Sequence, residues 1–184
     1  MRPALTPAIS LLLWLPLASC ARESGPVQPT ADVPEARGWR TETVVSGLEH
    51  PWGIAWLPDG SALVTERPGR LRLIRGTRLD PQPIAGVPQV LAYGQGGLLD
   101  VALHPRFADN RLVYLTFAQG EEDANRTALA RGRLVDGRLE GAEVIFRNAD
   151  TKNDGQHFGS RLLWLPDGTL LMSIGDGGNP PIAF

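Results

Sequence analysis

The chain has 184 residues, of which 42% are hydrophobic and 21% charged, and its formal net charge at pH 7 is −2. These proportions are typical of a soluble globular protein rather than a disordered one. Because 18 Lys and Arg residues face 20 Asp and Glu residues, there is no basic excess to neutralise phosphates, and we expect no nucleic-acid partner. The 21 glycines and 16 prolines favour many short strands joined by tight turns.

Residues 1–19 are typical of a secretory signal peptide. A positive charge at Arg2 precedes an apolar run that closes with small residues immediately before Cys20, the single cysteine of the chain. One cysteine excludes an intrachain disulfide. The run is shorter than about 18 uninterrupted apolar residues and contains Pro16, which disfavours a membrane span.

The ending Leu17-Ala18-Ser19-Cys20 resembles the bacterial lipobox, which implies that Cys20 is lipidated after cleavage. The alternative is a plain cleaved signal with an incidental cysteine. Ala21 stands where an Asp would favour retention in the inner membrane. We therefore expect an exported protein that faces the periplasm on a lipid anchor in the outer membrane. Residues 20–38, rich in Pro, Ala and charge, predict a flexible tether, with the folded domain over residues 39–184.

Three pairs of short apolar segments follow one pattern, in which the first segment ends at a proline and a turn leads into the second. Proline is tolerated there because a strand end needs no ladder donor, and Asp-Gly pairs suit turns that need positive φ. The pairs are Ile54–Gly60 with Ala62–Glu66, Val101–Pro105 with Leu112–Thr116, and Leu162–Gly168 with Leu170–Ile174.

Further strands are predicted around Thr41–Val45 and at Leu71–Ile74 in the first repeat. In the second repeat they are predicted at Thr127–Val135 and Val144–Arg147, with Asp136-Gly137 as the hairpin turn between them. No stretch shows sustained helical spacing. The chain is therefore predicted to be all-β.

The spacing of the repeats indicates a β-propeller. Pro58, Pro105 and Pro166 are 47 and 61 residues apart, and repeats of about 45–50 residues built of short strands are typical of propeller blades. An all-β sandwich with similar strands is the alternative. Residues 39–184 hold about three blades, whereas propellers close with about four to eight. We interpret the chain as the N-terminal, truncated part of a propeller.

Three polar, glycine-bearing segments are the candidates for chemistry. His157, on a loop that enters a first strand, is a candidate general base near neutral pH, or a surface hydrogen-bonding residue. Glycines beside Gln95 let the backbone approach a bound molecule, and its amide both donates and accepts; a flexible connection is the alternative. Gly175–Gly178 is a turn or part of a cation site.

These segments resemble signatures of the glucose/sorbosone dehydrogenase family, in the family's order, over about residues 41–179. The matching segments are His50–Gly60 with Thr65–Arg70, then Gly94–Pro105, then His157–Leu162 with Gly175–Gly177.

The resemblance implies a six-bladed propeller that binds pyrroloquinoline quinone (PQQ) and calcium and oxidises the C1 hydroxyl of aldoses to lactones. His157 would be the general base, in contact with the cofactor, and Gln95 would hydrogen-bond near the quinone and the sugar. Gln156 occupies the position where the soluble glucose-oxidising branch commonly has an Asp. A quinone or a cytochrome would accept the electrons.

The family's partners for the quinone carboxylates and its main calcium-binding loop lie in later blades, so no residue of this chain is matched as a metal ligand. We therefore expect weak quinone binding and little or no turnover by the chain alone, unless a second arc, as in a homodimer, or another partner completes the site. Two other functions stay open. One is a non-catalytic propeller for binding or scaffolding. The other is a metal-dependent propeller lactonase, which the scarcity of matched loop carboxylates disfavours.

Overall fold

A computed structural model describes residues 38–178, and the part from Glu42 onward forms one compact unit. The predicted signal peptide, Cys20 and all of the predicted tether except Gly38 lie outside the described residues. Two four-stranded sheets and one two-stranded ladder, all antiparallel between neighbours, make up the fold. The first sheet contains β1 (Pro51–Trp56), β2 (Ala62–Glu66), β3 (Arg70–Arg75) and β4 (Arg78–Leu79); the second contains β5 (Leu98–Leu103), β6 (Leu112–Glu121), β7 (Ala124–Val135) and β8 (Arg138–Arg147); the ladder contains β9 (Gly159–Trp164) and β10 (Leu170–Ile174).

The three repeated strand pairs form the β1–β2, β5–β6 and β9–β10 hairpins, as predicted. The hairpin turn between β7 and β8 is also confirmed: Asp136 and Gly137 both have positive φ, 45° and 76°. Positive φ at both central residues is the type I′ geometry that matches strand twist. The only helix within residues 38–178 is the four-residue turn α1 (Phe107–Asn110). No helix in this part of the chain is long and apolar enough to cross a membrane.

The strand predicted around Thr41–Val45 is wrong. This segment is irregular, and the fourth strand of the first sheet is β4, which pairs with β3 through Ile74 and Leu79. Val45 still packs against Ala62, Val64 and Ile74, on the face of that sheet turned away from the second sheet, as Leu79 does. Its apolar side chain therefore has a packing role, but the ladder position that it would have occupied is taken by a later strand.

The core lies between the stacked sheets. Leu63 and Leu71 of the first sheet pack with Leu98, Val101 and Phe117 of the second in one buried cluster. A similar, smaller cluster joins the second sheet to the β9–β10 ladder. Burying one such leucine side chain stabilises the fold by about 2 kcal/mol, so the stacking of successive sheets is the main source of order.

Candidate functional site

Three loop segments meet at one edge of the stacked sheets. The segment before β5 carries Gln95, the segment before β9 carries His157, and the turn after β10 carries Asp176. The antiparallel β9–β10 hairpin pairs Gly159 with Ile174, so the start of β9 lies beside the end of β10. Since β5 packs against β9, the Gln95 segment reaches the same edge.

His157 is paired with a carboxylate that the sequence analysis did not assign to it. Its Nδ1 lies 2.6 Å from Oδ1 of Asp176, and the two side chains are 48% and 43% exposed. The same Oδ1 accepts a hydrogen bond from the N–H of Gly178 at 3.0 Å. This N–H, together with His157, lowers the pKa of Asp176 below its ordinary value. At neutral pH an ionised Asp176 therefore accepts a hydrogen bond from the N–H at Nδ1 of the imidazole, which leaves the lone pair on Nε2.

Gln95 joins the histidine loop through both its backbone and its side chain. Its N–H donates to the carbonyl of Gly155 at 2.6 Å, and its Oε1 accepts from the N–H of His157 at 3.0 Å. Its side-chain nitrogen has no hydrogen-bond partner within residues 38–178. The structure thus brings the two residues predicted from sequence together, with the side-chain amide of Gln95 on the backbone of His157 and its N–H donors free.

The close approach of these loops depends on glycine. A Cβ on Gly94 would lie only 2.3 Å from the carbonyl oxygen of Gly155, and Gly94 has φ +56°. Nη1 of Arg67 donates to the Gly94 carbonyl at 2.8 Å. His157 itself has φ 52°, a left-handed conformation that costs a non-glycine residue about 1 kcal/mol. A Cβ on Gly175 would lie 2.1 Å from the His157 carbonyl, so this strained backbone is held against the end of the neighbouring strand.

Lys152 stabilises the loop that carries His157 by hydrogen bonds to its backbone. Its ammonium donates to the carbonyls of Asp154, at 3.0 Å, and Gln156, and lies 3.5 Å from the centre of the Phe158 ring. Burial lowers the pKa of Lys152, while Asp154 and Asp176 oppose that shift. The sequence does not indicate this role, because a lysine in a polar loop carries no signal of it. For Asp176, the sequence marks the Gly-Asp-Gly-Gly segment as a candidate but does not indicate that His157 is the partner of the carboxylate.

Of the two alternatives for Gly175–Gly178, the structure supports the turn and gives no support to the cation site. Asp176 closes a turn with Gly178, and no three His, Cys, Asp or Glu residues between positions 38 and 178 are grouped to hold a metal ion. The described residues therefore offer no cluster of carboxylates for calcium. The free donor of Gln95 and the free Nε2 of His157 do fit the oxygens of a quinone or of a sugar hydroxyl.

Comparison with known proteins identifies the family of the chain. Residues 48–183 match the family described as "Glucose / Sorbosone dehydrogenase". An uncharacterised protein of Synechocystis is 51% identical over 92% of this chain and 48% of its own length. The aldose sugar dehydrogenase of Escherichia coli is 38% identical over 77% of this chain and 39% of its own length.

Solved structures show the same similarity. A glucose dehydrogenase superposes with a TM-score of 0.72 and 48% identity, over 76% of this chain and 42% of that one. The PQQ-bound form of an aldose sugar dehydrogenase from Streptomyces coelicolor superposes with a TM-score of 0.62 and 29% identity, also over 76% of this chain and 42% of that one. The chain thus spans less than half the length of these proteins. Its two sheets and ladder correspond to part of their β-propeller, and the chain belongs to the glucose/sorbosone dehydrogenase family.

Proposed function

We propose that this chain carries the general-base part of a PQQ-dependent sugar dehydrogenase that oxidises the C1 hydroxyl of aldoses to lactones. The observation that supports this most is the 2.6 Å contact between Nδ1 of His157 and Asp176. It orients the imidazole through Nδ1 and leaves Nε2 unbonded, while the amide of Gln95 is held at the backbone of the same residue. The PQQ-bound Streptomyces relative supports the choice of cofactor.

The residues of this chain would move the proton. Nε2 of His157 takes the proton of the C1 hydroxyl, and the anionic Asp176 stabilises the imidazolium that results. The amide of Gln95 donates to an oxygen of the sugar or the quinone and keeps the reacting oxygen within reach of Nε2. PQQ, when bound, supplies the acceptor for the C1 hydride, so the sugar loses one proton and one hydride and becomes the lactone.

His157 and Gln95 would contact the quinone, but the described residues offer no matched cations for its carboxylates. We assign no step to calcium, because no group of ligands for it is present between residues 38 and 178. The electrons would pass from the reduced cofactor to a quinone or a cytochrome.

The test is dye-coupled aldose oxidation by this chain, with and without PQQ and calcium, beside the variants His157→Gln and His104→Gln. His104 lies between Tyr114 and Trp164, away from the loop cluster, so its replacement is the matched control. Turnover by the chain alone is expected to be small, and the proposal predicts that its cofactor-dependent part is abolished by His157→Gln and preserved by His104→Gln. Equal quinone-dependent rates in both variants would contradict the role of His157. Activity that needs no quinone would favour a lactonase or another hydrolytic propeller.

We also propose export and lipid anchoring at Cys20, on the evidence of the residue pattern before it. In a bacterial host the parent chain should fractionate with the outer membrane and the variant Cys20→Ser should not. Recovery of both chains in the same soluble fraction would contradict the anchor.

A further inference from the structure

Two cationic side chains each bind the pair of carbonyls that flank one residue of the loop cluster. The first is Arg67, which lies in the turn between β2 and β3. Its Nη1 donates to the carbonyl of Gly94 at 2.8 Å and makes a longer contact, of 3.4 Å, with the carbonyl of Gly96. These two carbonyls stand on either side of Gln95. The guanidinium therefore reaches from the first sheet to the loop that precedes the second.

Lys152 makes the same arrangement in the loop that precedes β9. Its ammonium donates to the carbonyls of Asp154, at 3.0 Å, and Gln156, which flank Gly155. The two flanked residues bond to each other, since the N–H of Gln95 donates to the carbonyl of Gly155 at 2.6 Å. The contact between the two loops thus has a cation on each side of it.

The guanidinium acts on the same peptide group that makes this contact. The carbonyl of Gly94 and the N–H of Gln95 belong to one planar peptide. A cation at the oxygen of a peptide strengthens the hydrogen bond that its N–H donates, because it polarises the group. Glycine leaves its neighbouring peptides unusually free to rotate, and Gly94 already has φ +56°. Without the guanidinium, we expect this peptide to rotate and its bond to Gly155 to lengthen or break.

The ring of Phe158 gives Lys152 a second route to the Gln95 loop. The ammonium lies 3.5 Å from the centre of that ring, and a Cβ on Gly96 would lie 2.7 Å from its Cζ. Phe158 is buried in a cluster with Leu99 and Ala118. The ring therefore lies between the ammonium and the backbone next to Gln95, and its place in the core keeps it there.

Arg67 itself is fixed through its backbone. Its N–H donates to the carbonyl of His50, and its carbonyl accepts from the N–H of Leu98, both at 3.0 Å. A Cβ on Gly97 would lie 2.0 Å from the carbonyl oxygen of Arg67, so the first sheet and the start of β5 are in close contact here. In the described part of the chain neither Arg67 nor Lys152 forms an ion pair, and the charge of each is directed at the loop carbonyls.

We propose that Arg67 and Lys152 are positioning residues for Gln95 and His157. Arg67 fixes the peptide from which the side chain of Gln95 projects, and Lys152 fixes the loop that leads to His157. Because Oε1 of Gln95 accepts from the N–H of His157 at 3.0 Å, a displaced Gln95 also releases the histidine. The catalytic consequence rests on the proposed function, whereas the contact between the loops does not.

The first measurement is the amide proton chemical shift of Gln95 in isotope-labelled chain without PQQ, for the parent and for Arg67→Met, Lys152→Met and Arg126→Met. A short N–H···O bond moves its proton downfield, so this signal reports the contact between the loops. Arg126 is the matched control, because its Nη1 also donates to two carbonyls, in the segment that follows β8. We expect the signal to move upfield in the first two variants and to stay in place in Arg126→Met. A signal that stays at its parent position in Arg67→Met would overturn the proposal.

The second measurement is steady-state aldose oxidation by PQQ-loaded protein. Arg67→Met should lower kcat by up to about 100-fold, the effect of misplacing a reacting group by about 1 Å, and should change KM less. Arg67→Lys keeps a cation that can bind two carbonyls, as Lys152 does, and should recover most of kcat, while Arg126→Met should match the parent. Equal kcat values for Arg67→Met and Arg126→Met would contradict the positioning role. A parent without quinone-dependent turnover would count against the proposed function alone, because the amide signal of Gln95 decides the contact without any cofactor.

Discussion

Glu66 provides the sharpest test of how the first sheet is held together. Its side chain is fully buried, and it accepts hydrogen bonds from Nε of Arg70 at 2.6 Å, from Nη1 of Arg72 at 3.2 Å and from the N–H of Glu49 at 2.6 Å. Glu66→Gln keeps the shape but removes the charge and one acceptor oxygen. Two guanidinium groups then face a neutral amide. Arg70 is partly exposed and is also paired with Glu49, whereas Arg72 is almost completely buried.

The expected cost follows from that difference. Removing one partner of a buried ion pair destabilises a protein by about 3–5 kcal/mol. Because Arg70 can turn to Glu49 and to water, we expect the lower end, about 3 kcal/mol, from the stranded Arg72. With an m-value of about 2 kcal/mol/M in urea, the unfolding midpoint should fall by about 1.5 M. The matched control is Glu49→Gln, which breaks only the exposed pair with Arg70 and should cost less than about 1 kcal/mol.

The pH dependence checks the same interaction. Burial by itself raises the pKa of Glu66, but Arg70, the N–H of Glu49 and Arg72 outweigh it and hold the pKa below the ordinary 4.5. A lowered folded pKa stabilises the protein above pH 4.5 and loses that contribution as the pH falls through the folded value. Urea titrations followed by tryptophan fluorescence give the free energy of unfolding of the parent and of Glu66→Gln. The difference between these two free energies should be largest at pH 7 and should decrease below pH 4.5. The reasoning would be refuted if Glu66→Gln lost no more unfolding free energy than Glu49→Gln does, or if its loss did not change with pH.

Three further predictions concern the site and its support. Asp176→Asn should lower kcat of PQQ-loaded protein about 10- to 100-fold, as loss of an orienting partner does, with a smaller change in KM; an unchanged kcat in steady-state assays would contradict the orienting role. Gly94→Ala should destabilise the protein by at least about 1 kcal/mol in urea unfolding, since φ is positive and the new Cβ would meet Gly155; no change would show that the loops are not in contact. Thr116→Val should lower the free energy of unfolding by about 1–3 kcal/mol, because it leaves the buried N–H of Asp100 without an acceptor; an unchanged free energy would contradict the hydrogen bond between Asp100 and Thr116.

Much of the fold follows from local pattern. Apolar segments that end at proline and restart after a turn predict the three hairpins, the turn being Asp-Gly in the first and third pairs and Asp109-Asn110 in the second. Asp136-Gly137 predicts a two-residue turn because both residues tolerate positive φ. The error at Thr41–Val45 shows the limit of such reasoning. The same apolar residues suit a strand or an irregular segment packed on a sheet, and only the pairing of β4 with β3 decides between them.

The sequence by itself marked Gln95 and His157 as candidates, and only the tertiary structure showed that Asp176 and Lys152 contact the histidine loop. Glycines beside Gln95 and the polar segment around His157 mark both residues as candidates, since these features are local. The pairing of His157 with Asp176 joins residues 19 positions apart, and it exists because the β9–β10 hairpin returns the chain to the edge where β9 begins. The hydrogen bonds of Lys152 within its loop, and the hydrogen bond from the Thr116 hydroxyl to β9, likewise depend on side-chain directions that only the stacked sheets set.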